Sequence, residues 1–230
     1  MQTVIKICGL STREAISTSI HAGADMLGFI FFEKSPRHLE IEKATGLSDF
    51  IGSKIEKVAV TVNADQTYLD QIVKRVKPDI LQLHGAETPE QVALAKQRYG
   101  IPVMKAFAIR TSEDFDKLIP FEGIADRFLL DAKAPEGAEI PGGNGISFDW
   151  NLLIKAKFKT PYMLSGGLEV GNIIDALKIS GAAAIDISSG VESSPGVKDI
   201  AKINAFIKTV RGYDLSVEKN KDLAPVGLSH

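Results

Sequence analysis

One pattern recurs along this 230-residue chain: a short apolar run, a turn, an amphipathic stretch, then another apolar run. The runs are "VIKIC", "MLGFIFF", "KVAVTV", "ILQLH", "VMKAFAI", "RFLLD", "YMLS" and "AAAIDIS", and they end near residues 8, 31, 62, 83, 108, 131, 165 and 188. Runs apolar on both faces read as parallel strands covered by helices. Their spacing averages roughly 26 residues, about a strand plus a crossover helix. Eight such units predict an α/β fold, a (β/α)8 barrel with a parallel eight-stranded core, and the count favours it over a doubly wound open sheet. No linker or low-complexity stretch divides the chain. The expected organisation is one barrel over residues 1–212 and a polar C-terminal extension over 213–230.

The stretches between the runs carry helix punctuation. "STREAIS" fits a capping box in which Glu14 answers Ser11. Tyr68, Leu69, Ile72, Val73 and Val76 share a helical face that Pro78 ends, and "TPEQ" supplies Thr88 as cap with Pro89 at the first helical position. Val197, Ile200, Ile203, Phe206, Ile207 and Val210 form the stripe of the last helix. The fifth connection, "RTSEDFDKLIPFEGIAD", is broken by Pro120 and Gly123 and predicts a short or irregular helix.

Composition narrows the function classes. A net charge of −2 advertises no nucleic-acid partner, and the longest apolar run is far too short for a membrane span. A single cysteine rules out an internal disulfide and fits a reducing compartment. "MQTVIKICG" lacks a basic region followed by an apolar stretch, so no secretory signal is expected and a cytoplasmic location is.

In a barrel, chemistry belongs at the C-terminal strand ends and the loops that follow them. Cys8 closes the first run, although a lone cysteine is ordinarily core filler. Asn63 follows the third run, His84 closes the fourth and Asp131 the sixth. Arg37, in "EKSPRHL", follows the second. The loop after Asp131, "AKAPEGAEIPGGNGIS", is longer than an idle connection usually is. "SGGLEVGN" and "DISSGVESSPG" put small residues after strands 7 and 8, where barrels commonly bind phosphate; the candidate residues are Gly166, Gly167, Ser188, Ser189 and Gly190. Of the four histidines only His84 lies clearly at a strand end, which disfavours a metal site built from several His and carboxylate ligands. A Ser–His–Asp triad has no nucleophile-elbow motif to recommend it.

Together "KICGL", "LGFIFFEKSPRHL", "LQLHG", "LLDA" followed by "GGNGISFDW", "LSGGL" and "DISSGVESSPGVKD" resemble the phosphoribosylanthranilate isomerase family of tryptophan biosynthesis, in order from residue 5 to about residue 199. The resemblance implies an Amadori rearrangement of N-(5-phosphoribosyl)anthranilate to 1-(2-carboxyphenylamino)-1-deoxyribulose 5-phosphate, without cofactor or metal; a monomer or homodimer is expected. It makes Asp131 the general acid, Cys8 the general base and Asp186 a contact to the sugar; His84 is a candidate to orient a neighbouring site residue. Arg37 is expected to bind the anthranilate carboxylate. A free thiol with a pKa of about 8.5 is mostly protonated at neutral pH, so a basic Cys8 calls for a cation or helix N-terminus to stabilise the thiolate. The histidine-pathway isomerase uses carboxylates at both catalytic positions, unlike this chain. A non-catalytic phosphosugar-binding barrel would need neither Cys8 nor Asp131.

Overall fold

The register of the first strand carries most of the architecture in the computed structural model, which describes residues 2–134, 142–143, 145 and 147–222, with side chains through 219. Strand β1 (Val4–Cys8) pairs in parallel on one side with β2 (Met26–Phe31) and on the other with β8 (Ala184–Ile187). Between them run β3 (Glu56–Thr61), β4 (Ile80–Leu83), β5 (Val103–Ile109), β6 (Arg127–Ala132) and β7 (Tyr162–Leu164), so eight parallel strands close into a barrel. The β1–β8 seam excludes the open sheet. Every strand ends within one residue of the position read from sequence.

Alternation along each strand splits the core in two. Cys8, Met26, Val58, Val60, Ile80, Met104, Ala106, Leu129 and Met163 fill the barrel interior. Ile5, Ile7, Leu27, Phe29, Leu81, Phe107 and Phe128 pack outward against the helices. These are α1 (Arg13–Ala22), α2 (Ile41–Ile51), α3 (Gln66–Val76), α4 (Pro89–Tyr99), α5 (Ile173–Ser180) and α6 (Ile200–Asp222). The fifth and sixth crossovers are 3₁₀ helices, Ser112–Phe121 with Pro120 inside it and Trp150–Lys155.

Local chemistry fixes the helix ends. Thr88 Oγ1 accepts from Gln91 N and Gln91 Oε1 from Thr88 N, a complete capping box with Pro89 in the first turn. α3 stops at Val76, with Lys77 in the left-handed region just before Pro78. Three expectations need correction. The cap of α1 is Thr12, not Ser11: Thr12 Oγ1 accepts from Ala15 N, a start that turns Ala15, Ile16 and Ser19 inward. Val197 is not in the last helix. It lies exposed in a hairpin of β9 (Glu192–Ser194) and β10 (Val197–Lys198), because Gly196 turns the chain and Asp199 Oδ1 caps α6 through Lys202 N. Finally, α6 continues past residue 212 to Asp222, where Tyr213 packs on the core and Asp214 is buried. Residues 223–230 lie outside the described residues, as does most of the loop 132–147.

Candidate active site

The site begins on β1. Lys6 and Cys8, two residues apart, point to the same side of the strand, into the barrel. Register sets Asp186 of β8 opposite Lys6, and Lys6 Nζ donates to Asp186 Oδ1 over 2.8 Å. Ser165 Oγ, at the end of β7, donates to Asp186 Oδ2 over 3.3 Å. The Lys6 side chain has no exposed surface, and a buried ammonium is tolerable only when paired. Burial alone would lower its pKa, but Asp186 and Cys8 outweigh burial and raise it. Cys8 lies beside that ammonium and is itself buried. Burial pushes the Cys8 thiol up; Lys6 and, more weakly, Lys198 pull it down, while Asp186 adds to the rise. The net direction is upward, so the resting group is the thiol.

Asp131 stands on β6 with Oδ1 accepting from Ala132 N over 3.0 Å and Oδ2 at 3.4 Å from His84 Nε2. Gln82 Nε2 lies 3.0 Å from His84 Nδ1, holding the ring with Nε2 toward Asp131. The loop bearing His84 is held from behind by Glu87, which accepts from the Gly85 and Asn63 amides and pairs with buried Lys105 at 3.2 Å. Glycine is needed around the carboxylate. A Cβ on Gly142 would overlap Asp131 Oδ2, and one on Gly166 would stand 2.5 Å from Ala132 N.

Gly166 and Gly167 both take left-handed backbone, with φ of 88° and 61°. Asn172 Nδ2 donates to Gly167 O over 2.8 Å, tying this turn to the start of α5. Gly166, Gly167, Ser188 and Ser189 line one cleft with Cys8, Arg37, His84, Asp131 and Asp186. Gly190 is not in that lining: it packs against the Leu168 carbonyl, where a side chain would not fit, and so holds the β7 and β8 loops together.

Arg37 reaches the cleft from the loop after β2, and it is already paired. Its Nε and Nη2 donate to Glu192 Oε1 and Oε2, each over 2.8 Å. Lys198 Nζ reaches the same carboxylate at 2.7 Å and also donates to Ser188 O. Burial would raise the Glu192 carboxyl, but these two cations hold it below its usual value. Burial also lowers the Lys198 ammonium, against the pull of Glu192.

A profile of the N-(5'phosphoribosyl)anthranilate (PRA) isomerase family matches residues 5–209. The N-(5'-phosphoribosyl)anthranilate isomerase of Rhizobium meliloti is 54% identical over 211 residues, 92% of this chain and 98% of that protein. The Brucella canis enzyme of the same name is 56% identical, over 90% of this chain and 93% of its own. The chain belongs to the phosphoribosylanthranilate isomerase family. The solved phosphoribosylanthranilate isomerase of Thermotoga maritima superposes with a TM-score of 0.83 at 33% identity, over 92% of this chain and 100% of its own. A second structure, of an isomerase in complex with reduced 1-(o-carboxyphenylamino)-1-deoxyribulose 5-phosphate, gives 0.80 at 31% identity, with the same coverage.

This isomerase of tryptophan biosynthesis gathers every candidate except Gly190 and Asn63 around one opening at the C-terminal end of the barrel; Asn63 Oδ1 instead accepts from Ala86 N over 2.7 Å. Sequence reading missed Lys6, Glu192 and Lys198. Lys6 carried a legible signal, a lone charge inside an apolar strand and two residues from Cys8. Glu192 and Lys198 stood inside the quoted "SSGVESSPGVKD" without a local cue to their partner. No helix among the described residues is long and apolar enough to cross a membrane.

Proposed function

We propose that the family's reaction runs here by acid–base catalysis between Asp131 and Cys8, on a phosphorylated aminosugar held by its phosphate at the β7 and β8 loops. The Asp131 carboxyl gives its proton to the furanose ring oxygen. The C1–O bond breaks as the nitrogen lone pair forms a Schiff base. The Cys8 thiolate then takes the C2 proton, and the C–H electron pair becomes the C1–C2 double bond of an enolamine. Loss of the O2 proton and protonation of C1 give the aminoketose. The hydrogen moves within one molecule, so the balance needs no cofactor.

The observation that carries this reading is that Cys8 and Asp131 line a single cleft from β1 and β6. The glycine turn at Gly166–Gly167, with Ser188 and Ser189 beside it, suits a phosphate dianion, and Asp186 suits a contact to the sugar. Arg37 suits the anthranilate carboxylate at the far end. A cytoplasmic enzyme, monomeric or homodimeric, with its chemistry inside residues 1–212, completes the proposal. A dimeric Thermotoga maritima relative, solved as monomers, supports either state.

The test is turnover of phosphoribosylanthranilate by metal-stripped protein, followed as loss of substrate fluorescence. Cys8→Ala should lose nearly all turnover while affinity for a reduced product analogue stays within a few-fold. Near-normal turnover would make Cys8 core filler. Binding of the analogue by a wild type that turns nothing over would favour a phosphosugar-binding barrel.

A further inference from the structure

A thiol that burial pushes upward is a poor base unless something nearby stabilises its anion, and among the described residues Lys6 is the buried cation in hydrogen-bond contact with it, with Lys198 acting more weakly. Lys6 and Cys8 converge on the same point of the barrel wall. A Cβ placed on Gly28, the β2 residue paired with Cys8, would stand 2.8 Å from Cys8 Sγ and 3.2 Å from Lys6 Nζ. The absence of a side chain at Gly28 lets the two groups meet there. Lys6 cannot swing away, because Asp186 Oδ1 holds its ammonium at 2.8 Å. The order along the barrel wall is therefore carboxylate, ammonium, thiol.

We propose that Lys6 is a positioning residue for the reaction: its ammonium, pinned by Asp186, supplies the charge that lets Cys8 exist as a thiolate when the C2 proton is taken. The inference rests on Cys8 being the base. Asp186 thereby gains a role besides any contact with the sugar, since it sets where the ammonium sits and takes up part of its charge.

Because Cys8 is the only cysteine, the ultraviolet titration of each substrate-free protein, less that of the same protein carrying Cys8→Ala to remove the four tyrosines' absorbance, reports this one thiol. Lys6→Met should raise the titration midpoint by about one pH unit or more, the size of a lost opposite charge in contact. Lys6→Met with Asp186→Asn removes both charges together, so it leaves no orphaned ion to unfold the barrel. Its midpoint should lie above wild type but below the single variant. Asp186→Asn alone should lower the midpoint, by freeing the full ammonium charge for the thiol. In turnover, Lys6→Met should lose kcat at neutral pH and recover part of it in alkaline buffer, with analogue affinity little changed. An unmoved midpoint in both Lys6 variants overturns the proposal, and so does a rise in the Asp186→Asn variant, which would mean general loosening. The titration needs no substrate. If Cys8→Ala keeps its turnover, the assignment of the base fails whatever the titration reads.

Discussion

Arg37 and Glu192 illustrate what a single residue in the sequence can and cannot announce. The guanidinium uses Nε and Nη2 on Glu192 and leaves Nη1 beside Gly143, where a Cβ would stand 2.6 Å away. A substrate carboxylate presented to Arg37, as proposed, would meet a cation fixed in plane, and a lysine could not reproduce that geometry. Arg37→Met should cost about 1.5–3 kcal/mol in kcat/KM, roughly ten- to a hundred-fold. Against an aniline analogue without the carboxylate, wild type should discriminate and Arg37→Met should treat both substrates nearly alike. Retained discrimination would move the carboxylate elsewhere. The variant should fold, because Lys198 Nζ still neutralises Glu192 at 2.7 Å. That Arg37 faces the catalytic end was legible from its place after the second apolar run. Its partner was not, because the pair spans 155 residues and long-range pairing leaves no periodic trace. Lys6 differs: alternation alone aims it at the Cys8 side, and the missing information was only that β8 would bring Asp186 across from it.

At the scale of elements, legibility follows how strongly burial dictates the pattern. Parallel strands covered on both sides must be apolar throughout, so all eight could be read, and helices with long stripes such as α3 and α6 could too. The fifth crossover was read as broken, and it is a 3₁₀ segment whose start is a capping box between Thr111 and Asp114. Asp114 accepts from Arg110 N over 2.9 Å, from Thr111 N over 3.1 Å and from Lys117 Nζ over 2.5 Å. Burial would raise its carboxyl, but these bonds outweigh burial and hold it at about 2. Asp114→Ala should cost about 1 kcal/mol, the usual worth of such a cap, with little from Lys117, whose side chain is 62% exposed. The folded pKa is depressed, so the stabilisation is present above the ordinary aspartate value of about 3.9 and is lost as pH falls from there toward 2. Unfolding curves of wild type and variant should therefore lie apart near neutrality and draw together as pH drops through that window. A gap independent of pH would show that the bonds to the ionised carboxylate are not what stabilises this turn.

Across the whole molecule, the two faces of the barrel divide function from closure. Chemistry gathers at the C-terminal strand ends; at the opposite end, the last helix fastens the first strand. Asp214 accepts from Thr3 N over 3.0 Å and from Thr3 Oγ1 over 2.6 Å. Arg211 donates to Thr3 O and Gly23 O, each over 2.6 Å, and to Asp25, whose Oδ2 also accepts from Ile5 N. A chain that closes a barrel must join its beginning to its end, and these bonds reinforce the β1–β8 seam where no covalent connection runs. Read as sequence, "GYDLSVEKNKD" is merely polar, because its partners sit some two hundred residues earlier. Asp214→Ala leaves two Thr3 donors without their charged acceptor and should cost about 1.5–3 kcal/mol. For a domain of this size that is a fall in Tm of roughly 3–12 °C, at about 2–4 °C per kcal/mol. Truncation after Gly212 should lower Tm at least as much, while Leu215→Ala, on the exposed side of the same turn, should not. The kcat/KM of the folded Asp214→Ala protein should stay at the wild-type value, since that end of a barrel carries stability rather than catalysis. Should kcat/KM fall while Tm holds, the extension would act on the cleft and this division of faces would be wrong.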